Sequence, residues 1–219
     1  MGLARGLERR LERLVDGLAA RLFRGRVHPI ELGSRLVREA DLALFDTAGG
    51  PGAPNAYRIV LGGEPEDSLV LDTVCRELAQ YVEDAAADRG WRLEGPARVE
   101  VAFTPGDRAS DVEITAGVEP GLRSAWAHLQ PHATGPAMDV CYNRSVIGRS
   151  GACDLHIPSD DVSRQHAVIW QEAGSVWLGD LGSSNGTYLN GEAVVGAAAL
   201  VDGDRIAFGD TGFTYGPAT

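Results

Sequence analysis

The sequence predicts two domains of different class, an α+β domain in the N-terminal half followed by an all-β sandwich. Residues 1–117 alternate helical apolar periodicity with short strand-like runs. Residues 118–136 are rich in Pro, Gly and Ala, a composition typical of a linker. Residues 137–219 contain short apolar runs separated by turn residues, which is the pattern of an antiparallel sandwich. These three observations predict an N-terminal domain over 1–117, a short linker over 118–136 and a β-sandwich over 137–219.

The first helix is predicted from a stripe of apolar residues at helical spacing: Leu3, Leu7, Leu11, Leu14, Val15, Leu18 and Leu22. Arginines and acids beside this stripe alternate so that they can pair three residues apart. Such pairing favours a solvated amphipathic helix over a helix that binds nucleic acid or a membrane surface. No acidic residues lie close to Arg21, Arg24 and Arg26 in the sequence. A site for nucleic acid or a membrane surface at these three arginines therefore stays open.

Five further elements complete the predicted α+β domain. A helix is expected from Pro29 to about Phe45, and its inward-facing residues are predicted to be Ile30, Leu36, Val37, Ala40 and Leu44. The other elements are a strand over 57–61, a helix over 68–89 and two alternating strands over 99–103 and 112–114. The apolar side of the 68–89 helix is predicted to contain Leu71, Val74, Cys75, Leu78, Val82 and Ala85. In the linker, a short helical piece around 122–129 is also conceivable. No Gly-rich phosphate loop, Ser-His-Asp set or paired carboxylates occur in this domain, so the sequence predicts no enzyme and no cofactor.

Composition narrows the function classes. The chain has 219 residues and a formal net charge of −11, which disfavours nucleic acid as a partner because phosphate-backbone binding needs Lys and Arg. No apolar run approaches the ~18 to 20 residues of a membrane span, and no secretory h-region is present. We therefore expect a cytoplasmic protein, with recruitment to the membrane by a partner left open. The three cysteines are unclustered, which favours reduced thiols and predicts no metal site.

Three short stretches near the C-terminus carry the chemistry of a phosphate site. They are Gly148-Arg149, Ser163-Arg164-Gln165-His166 and the run 183–187, Ser-Ser-Asn-Gly-Thr. Each adjoins a strand-like run, so we expect three loops on one rim of the sandwich. A guanidinium, serine hydroxyls and an Asn carboxamide are the groups that hold a phosphoryl group and a peptide main chain. The set contains no nucleophile with a base.

The order and spacing of these stretches resemble the forkhead-associated (FHA) domain signature over about residues 138–216. The resemblance implies a module that binds phosphothreonine peptides, with Arg149 and Ser163 as phosphate ligands and Ser184 as a further hydroxyl donor. Asn185 would hold the peptide backbone. The remaining positions are read as follows: Arg164 either contacts phosphate or peptide or is a solvated loop charge, His166 braces the loops as a structural residue, and Gly148 and Gly186 set backbone geometry.

The N-terminal half resembles the N-terminal domain of the actinobacterial FhaA family. The resemblance is carried by Leu7-Glu-Arg-Arg-Leu-Glu, the run 23–32, the run 36–41, Pro54-Asn-Ala-Tyr and the run 90–96. It implies an adaptor in Ser/Thr kinase signalling, linked to cell-wall synthesis or division, whose FHA module binds a protein phosphorylated on threonine. The second partner, that of the N-terminal domain, is unknown. The alternative is that the N-terminal domain binds nucleic acid or a membrane surface and the FHA module regulates it.

Overall fold

The computed structural model describes residues 29–62, 68–104 and 112–218. The predicted first helix and the cluster Arg21, Arg24 and Arg26 lie outside the described residues. Among those residues the chain forms two compact units. Within the described residues, the first unit comprises 29–45, 52–62, 68–88, 93–104 and 112–122, and the second comprises 46–51, 89–92 and 123–218. The fold is therefore an α+β N-terminal domain followed by a β-sandwich, as the sequence predicts.

The first unit contains helices and a small mixed sheet. The elements up to residue 117 are α1 (Pro29–Leu42), β1 (Phe45–Thr47), β2 (Gly50–Gly52), β3 (Ala56–Gly62), α2 (Ser68–Arg89), β4 (Arg98–Thr104) and β5 (Glu113–Gly117). Most of the β1–β2 hairpin belongs to the second unit. The sheet has the order β4-β3-β5. Strand β3 runs parallel to β4 and antiparallel to β5. A parallel pair needs a long crossover, which α2 supplies.

Helical spacing correctly predicted that Leu36, Val37 and Ala40 of α1 are buried, but it missed the fully buried Leu32. The side chain of Ile30 lies outside the described residues. Helix α2 has the predicted bounds and buries Val74, Leu78, Val82 and Ala85. Helix α1 ends at Leu42, three residues earlier than predicted. The prediction that Leu44 faces inward is wrong, because Leu44 lies beyond the helix end and is 41% exposed.

The Pro54–Tyr57 motif holds the ends of the small sheet together. Asn55 is fully buried, and its Nδ2 donates to the carbonyls of Pro96 (3.1 Å) and Glu119 (2.8 Å). Its Oδ1 accepts from the Glu119 amide at 2.9 Å. The Tyr57 hydroxyl donates to the Pro54 carbonyl at 2.8 Å. A buried carboxamide with these bonds satisfied ties three chain segments together, which explains why a polar residue is stable at this position.

The second unit is a sandwich of two sheets. Its strands are β6 (Ala127–Pro131), β7 (Met138–Val140), β8 (Ser145–Gly148), β9 (Leu155–His156), β10 (Ala167–Glu172), β11 (Ser175–Asp180), β12 (Thr187–Leu189), β13 (Glu192–Ala193), β14 (Ala197–Leu200), β15 (Arg205–Phe208) and β16 (Thr211–Pro217). One sheet has the order β14-β11-β10-β8-β9 and the other β13-β12-β15-β16-β6-β7. All described pairings are antiparallel except β8 with β9.

The core of the sandwich is built from alternate residues of both sheets. Ile147, Ile169 and Leu178 are fully buried in the first sheet, and Leu129 and Phe208 in the second. Successive strand residues point to opposite faces, so this alternation buries one face of each sheet. The strands that adjoin the three predicted loops are thereby fixed by the core.

Residues 46–51 and 89–92 also belong to the second unit, and hydrogen bonds explain the position of the latter segment. Both terminal nitrogens of Arg92 lie 2.9 Å from the carboxylate oxygens of Asp154. Asp154 Oδ2 also accepts from the amide of Val146, in β8, at 2.8 Å. Asn143 Nδ2 donates to the carbonyls of Trp91 (3.1 Å) and Gln171 (3.0 Å). These bonds make residues 89–92 part of the hydrogen-bonded structure beside β8 and β10.

The structure corrects the predicted linker over 118–136. Residues 127–131 form β6, which lies between β16 and β7 in the six-stranded sheet, and no helix forms around 122–129. The sequence there alternates buried Ala127 and Leu129 with the more polar His128 and Gln130, which is a strand pattern. Because Pro and Gly flank this short run, its composition obscured the alternation.

No helix in the described parts of the chain is long and apolar enough to cross a membrane.

Replacing Leu129 with Ala tests the position of β6 in the core. Leu129 is 0% exposed, so Leu129→Ala should lower the free energy of unfolding by about 2 to 5 kcal/mol. The matched control is Leu122→Ala, because Leu122 is 95% exposed and its truncation should cost less than about 0.5 kcal/mol. Urea unfolding followed by tryptophan fluorescence measures both. Equal small effects would show that residues 127–131 lie outside the core.

Candidate functional site

The three predicted loops meet at one open cavity in the second unit. The cavity has a volume of about 590 Å³ and is lined by Arg149, Ser150, Ser163, Arg164, Gln165 and Ser184. Four of the five predicted peptide-binding residues are in this lining. The fifth, Asn185, directly follows Ser184 in the chain but does not line the cavity.

Arg149 stands at the end of β8 and is positioned by the main chain of the neighbouring loop. Its amide donates to the Ser163 carbonyl at 2.9 Å, and its Nε donates to the Val162 carbonyl at 3.2 Å. The side chain is exposed. No described residue accepts a hydrogen bond from its two terminal nitrogens. The guanidinium is therefore held at one nitrogen and keeps its planar fork available for an anion.

Gly148 permits the close approach of the first two loops. A Cβ atom built at this position would lie 2.4 Å from the Arg164 carbonyl oxygen. That distance is far inside van der Waals contact, so any side chain here would push the loop of Arg164 away. The prediction that this glycine sets backbone geometry therefore has a steric basis.

The two serines of the cavity lining are linked through one hydrogen bond. The amide of Ser184 donates to Ser163 Oγ at 3.0 Å. Since Ser163 Oγ accepts this bond, its own hydroxyl proton remains available to a ligand. The side chain of Ser184 is exposed, and no described residue bonds its hydroxyl. The cavity thus has two hydroxyl donors beside the Arg149 fork.

Asn185 is oriented by a single hydrogen bond. Its Nδ2 donates to the Asp161 carbonyl at 2.9 Å. This bond directs the Nδ2 group toward the protein. Oδ1 then has no hydrogen-bond donor among the described residues and can accept from a ligand. An exposed amide acceptor of this kind is suited to a peptide N–H group.

His166 joins two of the loops from beneath. The ring is fully buried, and its Nδ1 accepts from the Ser163 amide at 3.0 Å. Nδ1 must therefore be unprotonated, which places the ring proton on Nε2 and makes Nε2 the donor to the Gly186 carbonyl at 3.1 Å. Phe208 packs edge-on against the ring, with centroids 5.4 Å apart. The neutral ring is thus hydrogen-bonded to the backbone of both loops.

Burial lowers the pKa of His166, and this effect outweighs the opposing hydrogen bond to the Gly186 carbonyl and the nearby Asp180 carboxylate. A lowered pKa keeps the ring neutral, in the form that can accept from Ser163. The lowered pKa of His166 is therefore consistent with the hydrogen bonds that its ring forms to Ser163 and Gly186.

Gly186 lies in the left-handed backbone region. Its φ is +79°, a conformation that side-chain-bearing residues rarely adopt, and an added Cβ would also lie 3.2 Å from the hydroxyl oxygen of Tyr188. This conformation turns the Gly186 carbonyl toward His166. A glycine at position 186 therefore allows a backbone conformation that other residues rarely adopt.

Asp180 organises the third loop and was given no role by the sequence analysis. Its Oδ1 accepts from the amides of Gly182 and Ser183 at 2.8 Å, and its Oδ2 accepts from the hydroxyls of Ser183 and Thr187 at 2.6 Å. Burial raises the pKa of this carboxyl, but the four hydrogen bonds outweigh burial and hold the pKa below its ordinary value. An Asp followed by Ser three residues later is a local turn signal that could have revealed this role.

The cavity is cationic within an acidic protein. Its lining includes two guanidinium groups and no carboxylate. Neither Arg149 nor Arg164 forms an ion pair with any residue that the structure describes. In a chain of net charge −11, two unpaired arginines at one cavity mark a site for an anion. Within the described ranges, no cluster of three or more His, Cys, Asp or Glu residues could hold a metal ion.

Each half of the chain matches a known protein family. Residues 145–209 match the FHA domain, and residues 5–114 match the N-terminal domain of FhaA. The glycogen accumulation regulator GarA of Mycolicibacterium smegmatis is 40% identical over 153 residues, which cover 68% of this chain and 84% of GarA. The C-terminal sandwich is an FHA domain.

The transcriptional regulatory protein EmbR of Mycobacterium tuberculosis is 36% identical over 93 residues, which cover 42% of this chain and 24% of EmbR. This chain therefore matches about a quarter of the length of EmbR. A structure of M. tuberculosis EmbR in complex with a low-affinity phosphopeptide aligns at 35% identity, with a TM-score of 0.41, over 43% of this chain and 25% of EmbR. Because the FhaA N-terminal match alone spans half of its 219 residues, the chain belongs to the FhaA family of FHA domain proteins.

Acidification should destabilise the second unit through His166. Because burial lowers the pKa of the folded ring, the unfolded chain binds the proton first. The stabilising contribution is complete above the unfolded pKa of about 6.5 and is lost as the pH falls from there to the folded pKa, at no more than about 1.4 kcal/mol per pH unit. Urea unfolding between pH 7.5 and pH 5 measures the loss. His166→Gln cannot titrate and should lack this component, so an equal pH dependence in both proteins would contradict the account.

Proposed function

We propose that this protein is a non-enzymatic adaptor whose FHA domain binds phosphothreonine peptides produced by a Ser/Thr kinase. One observation carries the proposal: Arg149 and Arg164, which form no ion pair with a described residue, line the same open cavity as Ser163 and Ser184. The hydroxyl protons of both serines are available to a ligand. This donor set suits a dianionic phosphate. Membership of the FHA family supports the same ligand class.

The phosphate is bound chiefly by Arg149. Its terminal nitrogens form two parallel charge-assisted hydrogen bonds to two phosphate oxygens. The hydroxyls of Ser163 and Ser184 donate to the remaining acceptor positions. Because the Arg149 Nε is already bonded to the Val162 carbonyl, the guanidinium is held in place before the ligand arrives, and less side-chain entropy is lost on binding.

Asn185 holds the peptide main chain beside the phosphothreonine. The bond from its Nδ2 to the Asp161 carbonyl fixes the carboxamide and leaves Oδ1 to accept from a peptide N–H. A contact to the main chain is independent of peptide sequence. Asn185 therefore orients the peptide, whereas the arginines and serines require the phosphate.

The N-terminal α+β domain, over residues 1–117, is proposed to bind a second protein and so connect it to the phosphorylated partner. The FhaA family resemblance connects such adaptors with cell-wall synthesis or division, and this link is part of the proposal. The alternative, a nucleic-acid or membrane-surface site at Arg21, Arg24 and Arg26, rests on the sequence alone.

Arg149→Ala should abolish measurable phosphopeptide binding without unfolding the protein. Losing two charge-assisted hydrogen bonds, each worth about 1.5 to 3 kcal/mol, corresponds to a hundredfold or greater loss of affinity. Calorimetric titration with one phosphothreonine peptide measures this. Arg205→Ala is the matched control, because Arg205 is exposed on β15 and does not line the cavity. Binding by Arg149→Ala within about threefold of the wild type would place the phosphate site elsewhere.

Binding should require phosphate and prefer phosphothreonine to phosphoserine. The preference follows from the FHA resemblance, in which a small pocket takes the threonine methyl group. One buried methyl is worth about 1 kcal/mol, so several-fold discrimination is expected. Matched phosphothreonine, phosphoserine and unphosphorylated peptides test the two parts separately. Equal affinity for the two phosphopeptides would contradict the preference, and equal affinity for the unphosphorylated peptide would contradict the function.

A further inference from the structure

The first loop, which carries Arg149, is an unusually short connection between two parallel strands. It consists of residues 149–154 and joins β8 to β9, which pair in parallel. Connections between neighbouring parallel strands usually need a dozen residues or more. Because this loop is so short, the positions of its two ends decide where the residues between them lie.

Asp154, the last residue of the first loop, is held through its side chain. Its Oδ2 accepts from the amide of Val146, in β8, at 2.8 Å. Its two carboxylate oxygens also lie 2.9 Å from the two terminal nitrogens of Arg92. The side chains of Asp154 and Arg92 are only 17% and 11% exposed. A carboxylate so far from solvent needs a positive partner, because removal of one member of a buried ion pair leaves an uncompensated charge.

Arg92 is held both by its main chain and by its side chain. Its amide donates to the Pro51 carbonyl at 2.9 Å. Its guanidinium carbon lies 4.6 Å from the centroid of the Tyr142 ring, which is a cation–π contact. A planar fork that stacks on a ring and bonds both oxygens of a carboxylate has little freedom to move. Arg92 therefore keeps the carboxylate of Asp154 in one position.

The position of Asp154 is transmitted to the phosphate-binding end of the first loop. Cys153, the residue before Asp154, donates from its amide to the Ser150 carbonyl at 3.0 Å. Ser150 directly follows Arg149, whose amide donates to the Ser163 carbonyl at 2.9 Å. A displacement of Asp154 therefore reaches Arg149 through one hydrogen bond and one peptide link.

We propose that Arg92 is a positioning residue for the phosphate site: it holds Asp154 and thereby keeps the first loop in the arrangement that presents Arg149. This inference rests on the proposed function. Arg92 lies in the stretch 5–114 that matches the N-terminal domain of FhaA, whereas Asp154 lies in the stretch 145–209 that matches the FHA domain. The affinity for phosphothreonine peptides therefore depends on a residue outside the FHA match.

The test compares variants of the whole chain by calorimetric titration with one phosphothreonine peptide. Arg92→Ala leaves Asp154 without its positive partner and should weaken binding about three- to thirtyfold. Arg92→Lys keeps the charge but loses the planar fork, so it should recover part of this loss. Arg205→Ala is the matched control and should keep the wild-type affinity, because Arg205 is exposed on β15 and does not line the cavity.

A double-mutant cycle and a stability control separate positioning from general damage to the fold. Asp154→Asn keeps an acceptor for the Val146 amide but removes the charge that Arg92 neutralises. Arg92→Ala should therefore cost little further affinity when Asp154→Asn is already present. Leu129→Ala truncates a core residue in the other sheet, so it should lower the melting temperature and still bind the peptide with wild-type affinity.

Amide NMR spectra of the free protein give the structural readout. Arg92→Ala should shift the amides of residues 149–154 and the Nε resonance of Arg149, whereas Leu129→Ala should leave them in place. Wild-type affinity in Arg92→Ala, an equal loss in Leu129→Ala, or additive losses in the cycle would overturn the inference. If Arg92→Ala does not fold, wild-type affinity in both Arg92→Lys and Asp154→Asn would overturn it. Failure of the wild type to bind the peptide would instead overturn the proposed function.

Discussion

The imidazole ring of His166 is the connection on which the candidate site depends. It is buried within the sandwich, yet its two nitrogens bond the backbones of two different loops, at Ser163 and at Gly186. Both bonds require the neutral ring with the proton on Nε2. The ring transmits the rigidity of the core, through Phe208, to loops that otherwise stand at the surface. Polar ligand contacts can then be made at little cost in loop ordering.

Asp180 and the first-loop contacts complete the same framework. The carboxylate of Asp180 holds the third loop through four short hydrogen bonds, while the backbone bond from Arg149 to Ser163 fastens the first loop to the second. None of these bonds uses the groups proposed to contact a ligand. The framework is therefore built from main chain, one histidine and one aspartate, and it leaves guanidinium and hydroxyl donors free.

Local patterns in the sequence predicted much of this structure. Helical spacing located the buried face of α2, and short apolar runs located the strands that carry the loops. Four of the five side chains that the motifs singled out line the cavity. Those features are encoded within a few residues. Strand β6 was missed because Pro- and Gly-rich neighbours outweighed a five-residue alternation.

The unpredicted features depend on contacts distant in sequence. The pairing of Arg92 with Asp154 joins positions 62 residues apart, and the bond from Asn143 to Trp91 spans 52. Such partners cannot be chosen from composition or periodicity, because many arginines and acids are available. The role of Asp180 was missed for a different reason, since its bonds are local but an Asp in a turn-rich stretch has many ordinary explanations.

The central claim is that Arg149, Ser163 and Ser184 together receive a phosphothreonine phosphate. The most direct measurement is an NMR titration of the ¹⁵N-labelled chain with a phosphothreonine peptide and with its unphosphorylated form. The account predicts that only the phosphopeptide shifts the Nε resonance of Arg149 and the amides of Ser163 and Ser184. Shifts confined to other residues, or equal shifts with both peptides, would contradict it.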